Sequence, residues 1–174
     1  MKKKKIFIPG FAMLLLVAAW QIQIVEILLP KKGNQQIAVV RVTQRDIIKL
    51  CYRHSNELIQ VEGRFSIDAQ SKLHAIETRF ESSGSGLPVG FPERTTRKGK
   101  WLVVDEMNKE IGTLRFYIVP INRTRLIIAK VPILISGLKS GTLIEVKSSR
   151  VSNLNWFLMA WNLRLPLYQK DCGE

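Results

Sequence analysis

His54 and Ser55 are the first residues whose types invite a chemical reading. A histidine with Glu57 or Glu62 close by could serve as a general base or a ligand. Adjacent side chains of an extended chain point to opposite faces, however, so His54 is not placed to activate Ser55. The plainer reading is preferred: a histidine at a strand end whose ring hydrogen-bonds loop backbone. Gly84-Ser85-Gly86, running into Leu87-Pro88, is the second candidate. Successive backbone N–H groups there could form an anion-binding nest, and glycines allow close approach. A serine nucleophile on a sharp elbow would want Gly-x-Ser-x-Gly, but the residue two before Ser85 is Ser83. Here the plainer reading is a turn closed by Pro88. The third candidate is charge: Arg94, Arg97, Lys98 and Lys100 cluster, and Arg123, Arg125 and Lys130 follow. The plainest account is a solvated basic face. Nucleic acid is not an expected partner, because aromatics do not alternate with these residues and an exported domain meets none. If the face has a partner, anionic lipid head groups or wall polymers suit it better.

Metal and cofactor chemistry has little material. Two cysteines, Cys51 and Cys172, exclude a multi-cysteine zinc site and a disulfide-dense scaffold. Two histidines, His54 and His74, sit without ligand spacing, so no metal or cofactor is expected. The cysteines could pair only if the tail returned to the strand carrying Cys51. The expectation is that they stay apart, since Cys51 has outward parity and Cys172 lies near the chain end.

The segments that must position these residues begin with an unusual N-terminus. Lys2 to Lys5 precede an apolar run, Phe11 to Trp20, which continues to Leu29. Positive residues followed by a hydrophobic stretch have the layout of an export signal, with the lysines kept cytoplasmic. Ile6–Leu29 is 24 residues, about 36 Å as a helix, enough for a bilayer core of about 30 Å. Gln21, Gln23 and Glu26 are costly there. An uncleaved anchor is the leading expectation, with cleavage after Ala19 second and a buried cytosolic helix third. Gln21 to Leu29 would lie at the outer interface. The 174-residue chain carries 27 Lys+Arg against 14 Asp+Glu, a formal charge of +13. Its 46% apolar content excludes a disordered polyelectrolyte. The division expected is 1–30 signal-anchor or signal peptide, 31–150 extracytoplasmic β domain, and 151–174 amphipathic tail.

Past Asn34 the apolar period changes to two. Leu58 to Ile67 alternates cleanly, with Ile59, Val61, Phe65 and Ile67 on one side, and Gly63 marks a bulge or close approach. Strands are also expected over 37–43, 47–53, 73–80, 101–105, 113–119, 125–131 and 142–148. Hairpin turns are expected at Asp68–Ser71, Met107–Glu110 and Gly137–Gly141. About eight short strands imply an all-β antiparallel sandwich or partly open barrel, with an N-terminal hydrophobic helix and a short C-terminal helix. No strand–helix–strand pattern or phosphate loop appears. The stretch 82–100 reads as one long loop. Leu154, Phe157, Leu158, Trp161 and Leu165 have helical spacing, with Ser152 as cap and Pro166 as stop. That stripe is expected to pack on the domain, or to meet an interface or partner.

Tyr52-Arg53-His54-Ser55, Glu62 and Ser83-Gly84-Ser85-Gly86-Leu87-Pro88 together resemble a bacterial family, the domain of unknown function numbered eighteen-fifty. Its pattern is a strand ending in His-Ser, an acidic residue several positions on, a hairpin, and a Gly-Ala-Gly-Leu-Pro-like loop. Ser85 stands where the alanine is usual. The resemblance covers roughly Ile37 to Ser148. It implies no activity. It implies an accessory role, because genes of the family commonly stand beside TAXI-type TRAP transporters, which import organic acids with a solute-binding protein. The positions carried over are His54, Ser55, Glu62, Gly84, Gly86, Leu87 and Pro88, with no role assigned to any.

The function expected is a membrane-anchored extracytoplasmic binding or accessory domain, not an enzyme, with a transporter or solute-binding subunit as partner. Arg94, Arg97 and Lys98 would supply attraction and Ser83–Pro88 the contact. A basic structural envelope protein is the alternative, and an envelope hydrolase using His54 is the weakest reading.

Overall fold

The structure, a computed structural model, describes residues 17–55, 58–81 and 92–162. Eleven strands run through them: β1 (Gln21–Leu29), β2 (Gln35–Val42), β3 (Ile48–Arg53), β4 (Gln60–Ile67), β5 (Leu73–Phe80), β6 (Thr95–Lys98), β7 (Trp101–Glu110), β8 (Leu114–Tyr117), β9 (Arg125–Ile128), β10 (Val131–Ile133) and β11 (Leu143–Ser152). One helix follows, α1 (Asn153–Asn162). The strands form two open antiparallel sheets. The first has the order β2-β1-β11-β8, and the second β10-β9-β3-β4-β5-β7-β6.

The main core lies between the sheets. Val25, Ile27, Val40, Ile144 and Val146 of the first sheet meet Ile48, Leu50, Ile67, Leu126 and Ile128 of the second. Alternation within each strand places these side chains on one face. The first sheet is also covered outside. Ile22, Ile24 and Val39 pack against Trp156, Met159 and Ala160 of α1.

This double burial corrects the expected N-terminal helix. Residues 21–29 are not part of a hydrophobic helix running to Leu29. They are the central strand β1, paired with β11 on one side and β2 on the other. Ile24, Val25 and Ile27 are wholly buried. A strand buried on both faces reads as a continuous apolar run, which is how it was confused with a spanning segment. Its polar residues are bonded within the protein. Gln23 Nε2 donates to the Asp68 carbonyl at 2.6 Å, and Glu26 accepts from Gln36 Nε2 and the Ser149 hydroxyl, each at 2.9 Å. No helix among the described residues is long and apolar enough to cross a membrane. The anchor or signal reading of residues 1–16 lies outside the described residues.

The eight expected strands are all present, with β1, β6 and β10 in addition. The Asp68–Ser71 hairpin joins β4 to β5, with the Asp68 N–H donating to the Lys72 carbonyl at 3.0 Å. Two expected hairpins are different objects. Met107–Glu110 lies inside β7, where Met107 and Asn108 take φ of 55° and 53° at a register shift against β5. Gly137–Gly141 connects β10 of the second sheet to β11 of the first, so it crosses between sheets. Within the expected long loop, residues 95–98 form the edge strand β6. At Gly63 a Cβ would meet the Phe65 ring at 3.2 Å, a close approach beside the bulge between Arg64 and Phe65.

The helix begins as expected, with the Asn155 N–H donating to the Ser152 hydroxyl at 3.2 Å. It packs by the opposite face. Trp156, Met159 and Ala160 point inward, whereas Leu154, Phe157, Leu158 and Trp161 are exposed. Leu165 and Pro166 lie outside the described residues.

Candidate functional site

β3 runs toward Arg53 and returns as β4 through a tight connection. The His54 N–H donates to the Ile59 carbonyl at 2.8 Å and the Leu58 N–H to the His54 carbonyl at 2.9 Å. Leu58 takes a left-handed φ of 56° to make that return. The Arg53 Nε donates to the Leu58 carbonyl at 3.2 Å and braces the hairpin. β5 ends beside the start of β4, where the Glu81 N–H donates to the Gln60 carbonyl at 3.1 Å. Thus His54, Ser55 and Glu81 stand at one end of the second sheet. Gly84, Ser85, Gly86, Leu87 and Pro88 lie outside the described residues.

β9 pairs with the other edge of β3, with Cys51 opposite Arg125. A cleft of about 240 Å³ opens there, its charged lining being Arg53, Arg123, Arg125 and Glu81. Arg123 is the exposed residue that follows the turn Pro120–Asn122. Lys100 Nζ, 2.7 Å away, holds the Glu81 carboxyl below the usual range against the opposing effect of burial, helped by the Gln60 N–H at 3.3 Å. Burial pushes the Tyr52 phenol up. Three guanidinium groups against one carboxylate make the cleft positive. Planar forked donors of this kind match carboxylates and other small oxyanions.

The other expected site residues separate from this cleft. Glu62 is buried on the outer face of β4, with Arg64 Nε 3.4 Å from its Oε1, near enough for charge but not aligned for a hydrogen bond. Next to it Arg64 and Arg79 share Glu77 Oε1 at 2.6 Å and 2.5 Å. Burial opposes the ionised form of Glu77, but these two donors hold its pKa below the ordinary value. Arg97 shares a cross-strand row with Tyr52, through Leu102, Phe80 and Val61. Four strand spacings of about 4.8 Å place it about 19 Å from β3. Arg94 lies near that edge, with its Nη1 donating to the Asp105 carbonyl at 3.4 Å. The loop cluster and the cleft are therefore separate basic regions.

Two features were misread or missed. Cys51 is not a free thiol: it is disulfide-bonded and almost fully buried, which corrects the expectation that the cysteines stay apart. His74 is clasped between the Asn108 carbonyl at Nδ1 and the Asp68 carboxylate at Nε2, both at 3.0 Å. Those bonds raise its pKa. Periodicity placed His74 on a strand but had no means of finding its distant partner Asn108.

A second basic opening lies on the first sheet. It is wide, about 840 Å³, and is lined by Trp20, Arg41, Arg45 and Arg150 among others. Trp20 borders α1, because the Asn153 N–H donates to its carbonyl at 3.0 Å and Asn153 Nδ2 to the Val17 carbonyl at 2.9 Å.

No curated protein and no solved structure matches the chain. A family model matches residues 48–132, a narrower span than Ile37 to Ser148. It starts at the first residue of β3 and stops inside β10, so it takes in the second sheet, except Ile133, together with β8. Over that span, which holds the cleft and the His54 hairpin, the chain resembles the family described as Domain of unknown function (DUF1850).

Proposed function

We propose that this chain is a membrane-associated binding or accessory domain that works outside the cytoplasm and catalyses no reaction. One observation carries the reading: the apolar face of α1. Leu154, Phe157, Leu158 and Trp161 are each more than half exposed, Trp161 at 76%. Trp20, 70% exposed, stands beside the start of that helix. A contiguous apolar face on a soluble surface marks an interaction site. Bulky aromatics with arginines alongside suit the boundary of an anionic bilayer, and Arg41, Arg45 and Arg150 adjoin Trp20. The patch also lies where the chain leads back to the lysines and apolar run of residues 1–16. The bonded state of Cys51 fits an oxidising compartment.

A photoreactive residue placed at position 161 of the full chain in native membranes tests this. Lipid should be labelled from 161 and not from 107, where Met107 is as exposed but sits on the second sheet. Equal labelling from both positions, or none from 161, refutes the bilayer contact. The family resemblance suggests a membrane or solute-binding subunit of an organic-acid transporter as the protein partner. Crosslinking followed by purification in mild detergent tests that. Recovery of such a subunit supports the accessory role, and recovery of the chain alone removes it.

A further inference from the structure

Two connections that cross between the sheets meet at one end of the sandwich. Residues 118–124 lead from β8 of the first sheet to β9 of the second, and residues 134–142 lead from β10 back to β11. They are bonded to each other. The Ile118 N–H donates to the Thr142 carbonyl at 2.9 Å, and the Gly141 N–H to the Ile118 carbonyl at 2.8 Å. Between them lies a cavity of about 470 Å³ whose apolar walls are Ile118, Val119, Pro120, Ile135 and Leu138. Ile118 and Ile135 belong to the inter-sheet core, so the cavity is floored by close-packed side chains.

Arg123 and Arg125 line this cavity and also the small cleft beside β3. The two hollows therefore adjoin, with guanidinium groups at their junction. On one side of the junction stand Arg53, Gln60 and Glu81. On the other stand the aliphatic walls. The backbone at Arg123 is fixed there. Its N–H donates to the Pro120 carbonyl at 3.2 Å, and it takes a left-handed φ of 46°. That conformation is strained for a side chain as large as arginine, and strain of this kind collects at ligand sites. Charge and shape together define what fits. A carboxylate matches the guanidinium fork, and a hydrocarbon chain gains by leaving water for the cavity. Glu81, the one carboxylate of the cleft, is occupied by Lys100 and keeps an acid on the Arg123 side. We propose that the junction binds an aliphatic monocarboxylate, with its carboxylate on Arg123 and Arg125 and its tail between the two inter-sheet connections. The inference does not rest on the membrane reading. A chain that never touched lipid would still carry this site.

Calorimetric titration of the full chain with hexanoate, butyrate and succinate tests this. Each buried methylene is worth about fourfold in affinity, so hexanoate should bind about 15-fold more tightly than butyrate. Succinate, charged at both ends, engages the guanidinium groups without filling the apolar cavity, and should bind about tenfold more weakly than hexanoate. Arg123→Gln, at an exposed position, should weaken all three acids about tenfold with the urea midpoint unchanged. Val119→Ser, in the cavity wall and 37% exposed, should weaken hexanoate several-fold and leave succinate unmoved. Absence of hexanoate binding overturns the proposal, as does equal affinity for hexanoate and butyrate. Hexanoate binding that survives Arg123→Gln places the acid elsewhere on the surface and overturns it too. Equal losses of hexanoate and succinate in Val119→Ser remove the tail from this cavity.

Discussion

The most consequential perturbation concerns β1, because its residues read as part of a leader and fold as the middle of a sheet. Ile22, Ile24, Val25, Ile27, Leu28 and Leu29 are six buried aliphatic side chains in one strand. At about 1.5–3 kcal/mol each on burial, they contribute roughly 9–18 kcal/mol, an upper estimate because the unfolded chain is already partly compact. The net stability of a domain is about 5–15 kcal/mol. Losing β1 should therefore leave nothing to fold, whereas starting the chain at Trp20 removes none of the six. In a urea titration followed by circular dichroism, the chain from Trp20 should unfold cooperatively, and the chain from Lys31 should show no transition. Ile27→Ala, at a site with no exposure and neighbours from both sheets, should cost about 2–5 kcal/mol. With a urea slope of about 1.5 kcal/mol/M, the midpoint falls by about 1.3–3.3 M. A cooperative transition in the chain from Lys31, or a cost below about 1 kcal/mol for Ile27→Ala, would refute the placement of β1 in the core.

Gly63→Ala should destabilise by about 1 kcal/mol, because the new methyl presses on the Phe65 ring at 3.2 Å; Phe65→Leu in the same chain should recover part of the loss in urea. His74 has its pKa raised above 6.5, first by the Asn108 carbonyl and then by Asp68. Its contribution is therefore complete below about pH 6.5 and fades as pH rises through the raised folded value. The urea midpoint should decline between pH 6 and pH 8, and His74→Gln should flatten that slope. Trp161→Ser should leave the urea midpoint within about 0.3 M while weakening partition into phosphatidylglycerol vesicles about tenfold, measured by flotation. An unchanged partition would mean that the exposed face of α1 does not meet lipid.

Strands with one wet face were legible from residue order alone. Leu58 to Ile67 alternates because Val61, Phe65 and Ile67 meet the interior, while Arg64 and Glu77 are paired on the outer face. β1 was illegible for the converse reason: with a core on each side, nothing along it needed to be polar at period two. β6 and β10, four and three residues long, are too short to show a period. The helix stripe was misjudged because apolar residues occupy both faces of α1, and spacing cannot say which face finds a partner. The cleft was invisible because Arg53 and Arg125 are 72 positions apart and meet only through the antiparallel pairing of β3 with β9. Arg97, close in sequence to the glycine loop, is the natural guess, yet the sheet carries it four strand spacings from β3, beyond β4, β5 and β7.

The matched span divides the molecule by role as well as by sheet. Residues 48–132 hold the second sheet and every charged residue of the small cleft. What lies outside the match, β1, β2, β11 and α1, makes the first sheet apart from β8 and presents the apolar patch. The two sheets share the core, so the outer faces they leave point away from each other. A domain resting on a bilayer through α1 would then hold the outer face of the second sheet away from the membrane. Contact with the membrane and contact with an anionic ligand need not compete. Substitutions on one face should accordingly leave the other measurement unmoved. Trp161→Ser should not alter binding of a small carboxylate, with succinate as the probe in calorimetry, at the cleft lined by Arg53, Arg123 and Arg125, and Arg123→Gln should not alter vesicle partition. Coupling between the two would require a shared moving element, and the continuous inter-sheet core offers a stiff one.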